Sequence, residues 1–249
     1  MNYDNIFVNR IGKTPKSFMC TNKLVSVFKP NLMLQLTNGQ LIEQNLNSMV
    51  FEKNNQNNKL ENEKDINFVK IKGKFVKSFL GENSSNNILG KNDYFISQIT
   101  SFIIPETQTS EQTLESFGCK LIKPGNSFKL EYEKELPLFE VSIGSEYVNE
   151  YLLKENFGNG FYIEKHNTPH YHQPLDSNAG GFLILGLILD GDLILTKFKI
   201  PFGCGVYMKP ETLHSDAFLV GNYNVMYTKT PDYSTYLFVN SNYSIIIVE

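Results

Sequence analysis

Residues 182–200 read Phe-Leu-Ile-Leu-Gly-Leu-Ile-Leu-Asp-Gly-Asp-Leu-Ile-Leu-Thr-Lys-Phe-Lys-Ile, two apolar runs joined at Asp190-Gly191. Asp-Gly between such runs is the strongest short-range hairpin signal, because both central turn positions require positive φ. The first run, 182–189, is the longest apolar stretch in the chain and stops at Asp190, far short of the ~20 residues of a membrane-spanning helix. Working outward, partial alternation over 68–79 and 94–104 predicts further strands. Residues 121–132 carry apolar positions on both sides of Pro124-Gly125-Asn126, a turn signal. Short apolar segments at 225–228, 235–239 and 243–248 complete the set. Many short strands at close spacing define an all-β sandwich or barrel.

Helical pattern is scarce. Val148, Tyr151 and Leu152 fall at helical spacing within 146–155, and Ser110 with Glu111 opens a short candidate over 110–117. Residues 54–67 and 81–93 are almost wholly polar and are expected to be loops, since they bury too little apolar surface to offset their ordering entropy. A boundary near position 115 divides the chain into an N-terminal β-rich region (1–115) and a C-terminal unit (116–249), or the two halves share one extended sheet.

The 249 residues are 41% apolar and 20% charged, enough for a sizeable core. A net charge of −3 and a pI near 5.9 set up no field that would draw the protein to nucleic acid or to an acidic membrane surface, so neither is an expected partner. Cys20, Cys119 and Cys204 are widely spaced and odd in number, which fits a reducing compartment. The N-terminal residues lack the basic-then-apolar order of a signal peptide, and a cytoplasmic location is expected. Arg10 is the one arginine, so bidentate guanidinium recognition of carboxylate or phosphate is almost unavailable, and an anionic substrate is expected to be met by lysine or backbone amides.

No histidine precedes residue 166, and all four lie between 166 and 214. The stretch Glu164-Lys-His166-Asn-Thr-Pro-His170-Tyr-His172-Gln-Pro-Leu-Asp176 places His170 and His172 two apart. On a strand both project to one face, where their imidazoles grip one cation together. With His214 from a facing strand and Asp176, they form a set suited to Zn, Fe, Mn or Ni that leaves positions open for water or substrate. Gln173 competes with Asp176 for the fourth place. His166, and Glu164 at the same strand parity, are read as the proton-carrying catalytic pair. Tyr162, Tyr171, Tyr207, Tyr223 and Tyr227 surround the motif and are read mainly as packing.

The pattern resembles the cupin superfamily. His170-Tyr171-His172 matches that family's H-x-H, Asp176 stands where cupins usually carry Glu, and His214 matches the histidine of the second motif, preceded by Pro210, Gly203 and Gly205. The match covers residues 158–230. It departs from the family in the glycine missing ahead of His170, the early Gly180 and Gly181, the Pro-Glu-Thr-Leu-His sequence at 210–214, and Phe218 where Asn is usual. The resemblance implies a jelly-roll barrel in the C-terminal half with a divalent ion near its centre. The N-terminal region is then either a degenerate second barrel or a source of edge strands and a homodimer contact.

What the resemblance implies for function is a metal-dependent enzyme acting on a small polar molecule, a sugar or an oxo-acid, by isomerase, lyase or dioxygenase chemistry. A non-catalytic module that binds or senses a small ligand is the alternative. Other sites fit poorly. His214-Ser215-Asp216 has no distal histidine after it to complete an H-x-D…H set, and no glycine-rich phosphate loop or G-x-S-x-G elbow is present.

Overall fold

The structure, a computed structural model, describes residues 3, 6–44, 66–77 and 92–248; the polar stretches at 54–65 and 81–91 and the end of the 68–79 run lie outside the described residues. The fold is all-β, with strands gathered into a nearly closed, barrel-like jelly roll. The first large sheet runs in the order β1 (Asn9–Ile11), β2 (Phe18–Phe28), β11 (Leu136–Ile143), β19 (Leu219–Met226), β13 (His170–Pro174), β17 (Gly205–Met208), β9 (Cys119–Ile122), with β14 (Gly180–Gly181) also on β19. The second runs β5 (Val69–Ile71), β16 (Asp192–Phe198), β15 (Leu183–Leu189), β18 (Leu213–Ser215), β12 (Tyr162–His166), β20 (Tyr233–Asn240), β7 (Asn92–Ser97), β6 (Gly73–Val76). Two small sheets complete the set: β10 (Ser127–Lys129), β3 (Met33–Thr37) and β4 (Gln40–Gln44) in one, β21 (Ile247–Val248) and β8 (Ser101–Phe102) in the other.

Strand alternation sorts the apolar side chains into three cores. Val141, Val206, Met208 and Val225 of the first sheet meet Tyr162, Leu183 and Leu185 of the second, so the main core fills the space between the sheets. Tyr171, Tyr207 and Met226 face the other way and are covered by Leu34, Leu36 and Phe128 of the small three-stranded sheet. Ile163, Ile184 and Leu195 face outward from the second sheet beneath Phe102, Ile104 and Val248. Residues 183–186 are buried on both faces, which accounts for the continuous apolar character of the first half of the 182–189 run, while Ile188 near its end is exposed.

The hairpin forms where the sequence places it. Leu189 pairs with Asp192 across Asp190 (φ 53°) and Gly191 (φ 82°). The short helix α1 (Glu111–Glu115) is capped by Ser110, whose hydroxyl accepts from the Thr113 amide. Over 146–155 the structure forms a π-helical turn, Val148–Leu152, instead of an α-helix, closed by the Leu153 amide donating to the Val148 carbonyl. Tyr147, Tyr151 and Leu152 all enter the main core, so a single wide turn aims them there. No helix among the described residues is long and apolar enough to cross a membrane.

Candidate metal centre

Three strands bring the site together. On β12, alternation turns Tyr162, Glu164 and His166 to the interior while Ile163 faces the outer core. Glu164 is directly paired with His214 of β18 in the antiparallel ladder. From the opposite sheet, β13 presents His170 and His172, with Tyr171 turned away. The chain crosses between the sheets at 167–169. Asn167 anchors that crossing by donating to the Asp232 carboxylate and accepting from the Thr230 hydroxyl. Before β18, Glu211 adopts a left-handed φ of 67° and its amide donates to the His166 carbonyl, which seats the turn against β12.

One donor atom from each of Glu164, His166, His170 and His214 lies within 4.8 Å of the others. His214 Nε2 is 3.4 Å from Glu164 Oε1, within ion-pair range but without hydrogen-bond alignment. Around a cation at about 2.0–2.1 Å, tetrahedral neighbours stand about 3.3–3.4 Å apart, so this spacing fits two ligands of one ion. The opposite nitrogens are held from behind: His214 Nδ1 donates to the Thr212 carbonyl at 2.9 Å, and His166 Nδ1 is bonded to the Thr168 hydroxyl at 2.8 Å. Nε2 of His166, Nε2 of His214 and Nδ1 of His170 are buried with no hydrogen-bond partner among the described residues. Buried polar atoms seldom go unsatisfied, and three imidazole nitrogens doing so beside one carboxylate fit a cation-binding donor set.

The electrostatics follow from burial. Burial lowers the His166 and His172 imidazoles to about 4 and about 3, with His214 adding to both, and drives His170 down as well. Of the grouped residues, His166 and His170 are thereby held neutral, the form that ligates metal. Burial alone would raise the Glu164 carboxyl and lower His214, but their mutual contact outweighs it in both cases, holding Glu164 ionised and raising His214. Asp216 is raised by burial and by the charge on Glu164.

The other residues singled out from sequence fall elsewhere. His172 shares its face with His170, ring centroids 5.6 Å apart, but lies outside the four-residue group. Both its nitrogens are buried without hydrogen-bond partners among the described residues, and Nε2 is 4.0 Å from Asp216 Oδ2. Asp176 follows β13 and closes a local turn, accepting from the Asn178 and Ala179 amides and from Asn222. Gln173 donates to the Gly39 carbonyl and accepts from Tyr171, on the face away from the imidazoles. Glu164 and His166, read as proton carriers, stand within the cluster itself.

A cavity of about 490 Å³ opens beside the group, lined by Glu164, His166, His170 and Asp216. Ile6, Val8, Met19, Val141 and Val225 form its apolar wall, and Arg10 and Tyr162 lie within it. Sequence reading missed Asp216 and Arg10 as site residues. Arg10's uniqueness was visible, but which way a three-residue edge strand points was not.

No family model matches this chain, and no curated protein or solved structure matches it significantly.

Proposed function

We propose that this chain is a metal-dependent enzyme of cupin type that acts on a small polar molecule, a sugar or an oxo-acid. The observation that carries the reading is the convergence of Glu164, His166, His170 and His214, with three imidazole nitrogens unpartnered, on the edge of a cavity of ligand size. Those four residues hold a divalent ion, Zn, Fe, Mn or Ni by donor chemistry. Bound there, the ion supplies Lewis acidity to a substrate oxygen. Thr168 and the Thr212 carbonyl keep His166 and His214 in the ligating orientation. Asp216 lines the cavity outside the four-residue group and is placed to give or take a proton from substrate. The aliphatic wall limits water around the reacting atoms.

A second ligand set draws on one specific observation: His172 also has two buried, unpartnered nitrogens and lies beside Asp216. Metal analysis after reconstitution with Fe, Mn, Ni or Zn separates the two. Wild type and His172→Ala are expected to hold about one ion per chain, and His166→Ala, His170→Ala and His214→Ala to lose it. Retention in His166→Ala with loss in both His172→Ala and Asp216→Asn selects the second set. Absence of stoichiometric metal from the folded wild type contradicts both.

A further inference from the structure

Arg10, the one arginine of the chain, is 8% exposed and faces the cavity from the edge strand β1. Its contacts gather on one nitrogen: Nη1 meets Met19 Sδ at 3.4 Å, Tyr147 Oη at 3.3 Å and Tyr162 Oη at 3.4 Å. None of these neutralises a charge. No ion pair joins the guanidinium to a carboxylate among the described residues, and the side-chain hydrogen bonds it makes there all run through Nη1. A buried guanidinium is ordinarily paired by direct contact, whereas Glu164 and Asp216 feel the charge of Arg10 from elsewhere in the cavity without bonding it. Tyr162, which bonds Arg10, precedes Glu164 by two positions on the same inward row of β12, a step of about 6.6 Å along the strand. The guanidinium therefore stands next to the imidazole–carboxylate cluster, within the span of one small molecule.

The balance of charge points the same way. Arg10 and Lys229 line the cavity as cations and Glu164 and Asp216 as anions, so the protein groups cancel. A divalent ion at the cluster leaves the cavity positive. Ile6, Val8, Met19, Val141 and Val225 give it an apolar wall beside this charge.

We infer that the ligand of this cavity is a small organic acid with an apolar body, its carboxylate held by the free edge of the Arg10 guanidinium and its remainder lying along the aliphatic wall towards the cluster. The inference deepens the metal-enzyme reading and rests on it for the cation, but the anion anchor is a separate residue on a separate strand. It narrows the substrate class to the acids and sets the neutral sugars aside. A guanidinium edge matches a carboxylate with two parallel hydrogen bonds, which an ammonium or an amide ligand does not reproduce.

The test is calorimetric titration of the folded full chain with hexanoate and hexanamide, and with benzoate and benzamide, in metal-loaded and chelator-stripped protein. Each acid is expected to bind wild type at least about tenfold more tightly than its amide. That preference should shrink several-fold in Arg10→Lys and disappear in Arg10→Met. If Arg10→Met fails to fold, the wild-type pairs and Arg10→Lys decide. Equal binding of acid and amide, or binding of neither acid, overturns the inference. So does a preference that appears only with metal and is indifferent to Arg10, since the anion is then held by the ion; that outcome leaves the metal reading standing. Acid preference with no metal uptake sinks the metal reading alone.

Discussion

At the residue scale, the imidazoles of the centre are held from behind. Thr168 is almost fully buried and its hydroxyl fixes the His166 ring through Nδ1. Thr168→Val keeps the volume and removes that bond, so metal affinity is expected to fall about 10–100-fold with the fold intact, as read by competitive metal titration. Unchanged affinity would show that His166 is not a ligand. The histidines themselves were legible in the sequence, because four within one window and two at strand spacing leave few other uses. The grouping was not. The 167–169 crossing carries the chain from one sheet to the other, so the distance from His166 to His170 does not follow from strand periodicity. Asp176 is apt by spacing, and its carboxylate also accepts from the Asn178 and Ala179 amides in a local turn that strand periodicity does not foretell.

At the element scale, the two kinds of glycine separate backbone strain from packing. Gly191 holds φ 82° in the hairpin turn with open space where a Cβ would stand. Gly191→Ala is therefore expected to cost about 1 kcal/mol from the left-handed backbone alone. Gly205, on β17, has the Tyr171 ring where a Cβ would go, and that ring is stacked on Phe128. Gly205→Ala is expected to cost more, up to about 3 kcal/mol. Denaturant unfolding of the two variants checks the order, and the reverse order would contradict the packing described. Strands with regular pattern or clear turns, β9, β10, β15, β16 and β20, were readable from sequence. β2 and β11 were not: the extra residues Val25 and Asn22 in β2, opposite Leu138/Phe139 and Glu140/Val141, break its alternation, and β11 is buried along most of both faces and so has little alternation to read.

Over the whole molecule, the N-terminal strands enter both large sheets, β1 and β2 in one and β5, β6 and β7 in the other, while β3 and β4 cover the outer face of the first. The all-β class was plain from the hairpin and the strand spacing. This interleaving was not, since pairings such as β2 with β11 join segments more than a hundred residues apart. Stability should carry the imprint of the buried imidazoles. His166, His170 and His172 are lowered in the folded state by burial first, so the unfolded chain takes up their protons near pH 6.5 and the folded chain only at lower pH. Their contribution is intact above about pH 6.5 and is lost as pH falls towards about 4, where His166 titrates. His214 and Asp216, both raised, act in the opposite sense, two groups against the three lowered imidazoles. The metal-free protein should therefore melt at steadily lower temperature between pH 7 and pH 4.5, and a flat profile would contradict the neutral, buried cluster. The most direct test of the central claim is anomalous diffraction at the absorption edge of the metal in crystals of the reconstituted protein. One peak per chain is expected, within about 2.0–2.2 Å of a donor atom from each of Glu164, His166, His170 and His214. A peak elsewhere, or none in protein shown to be folded, would contradict it.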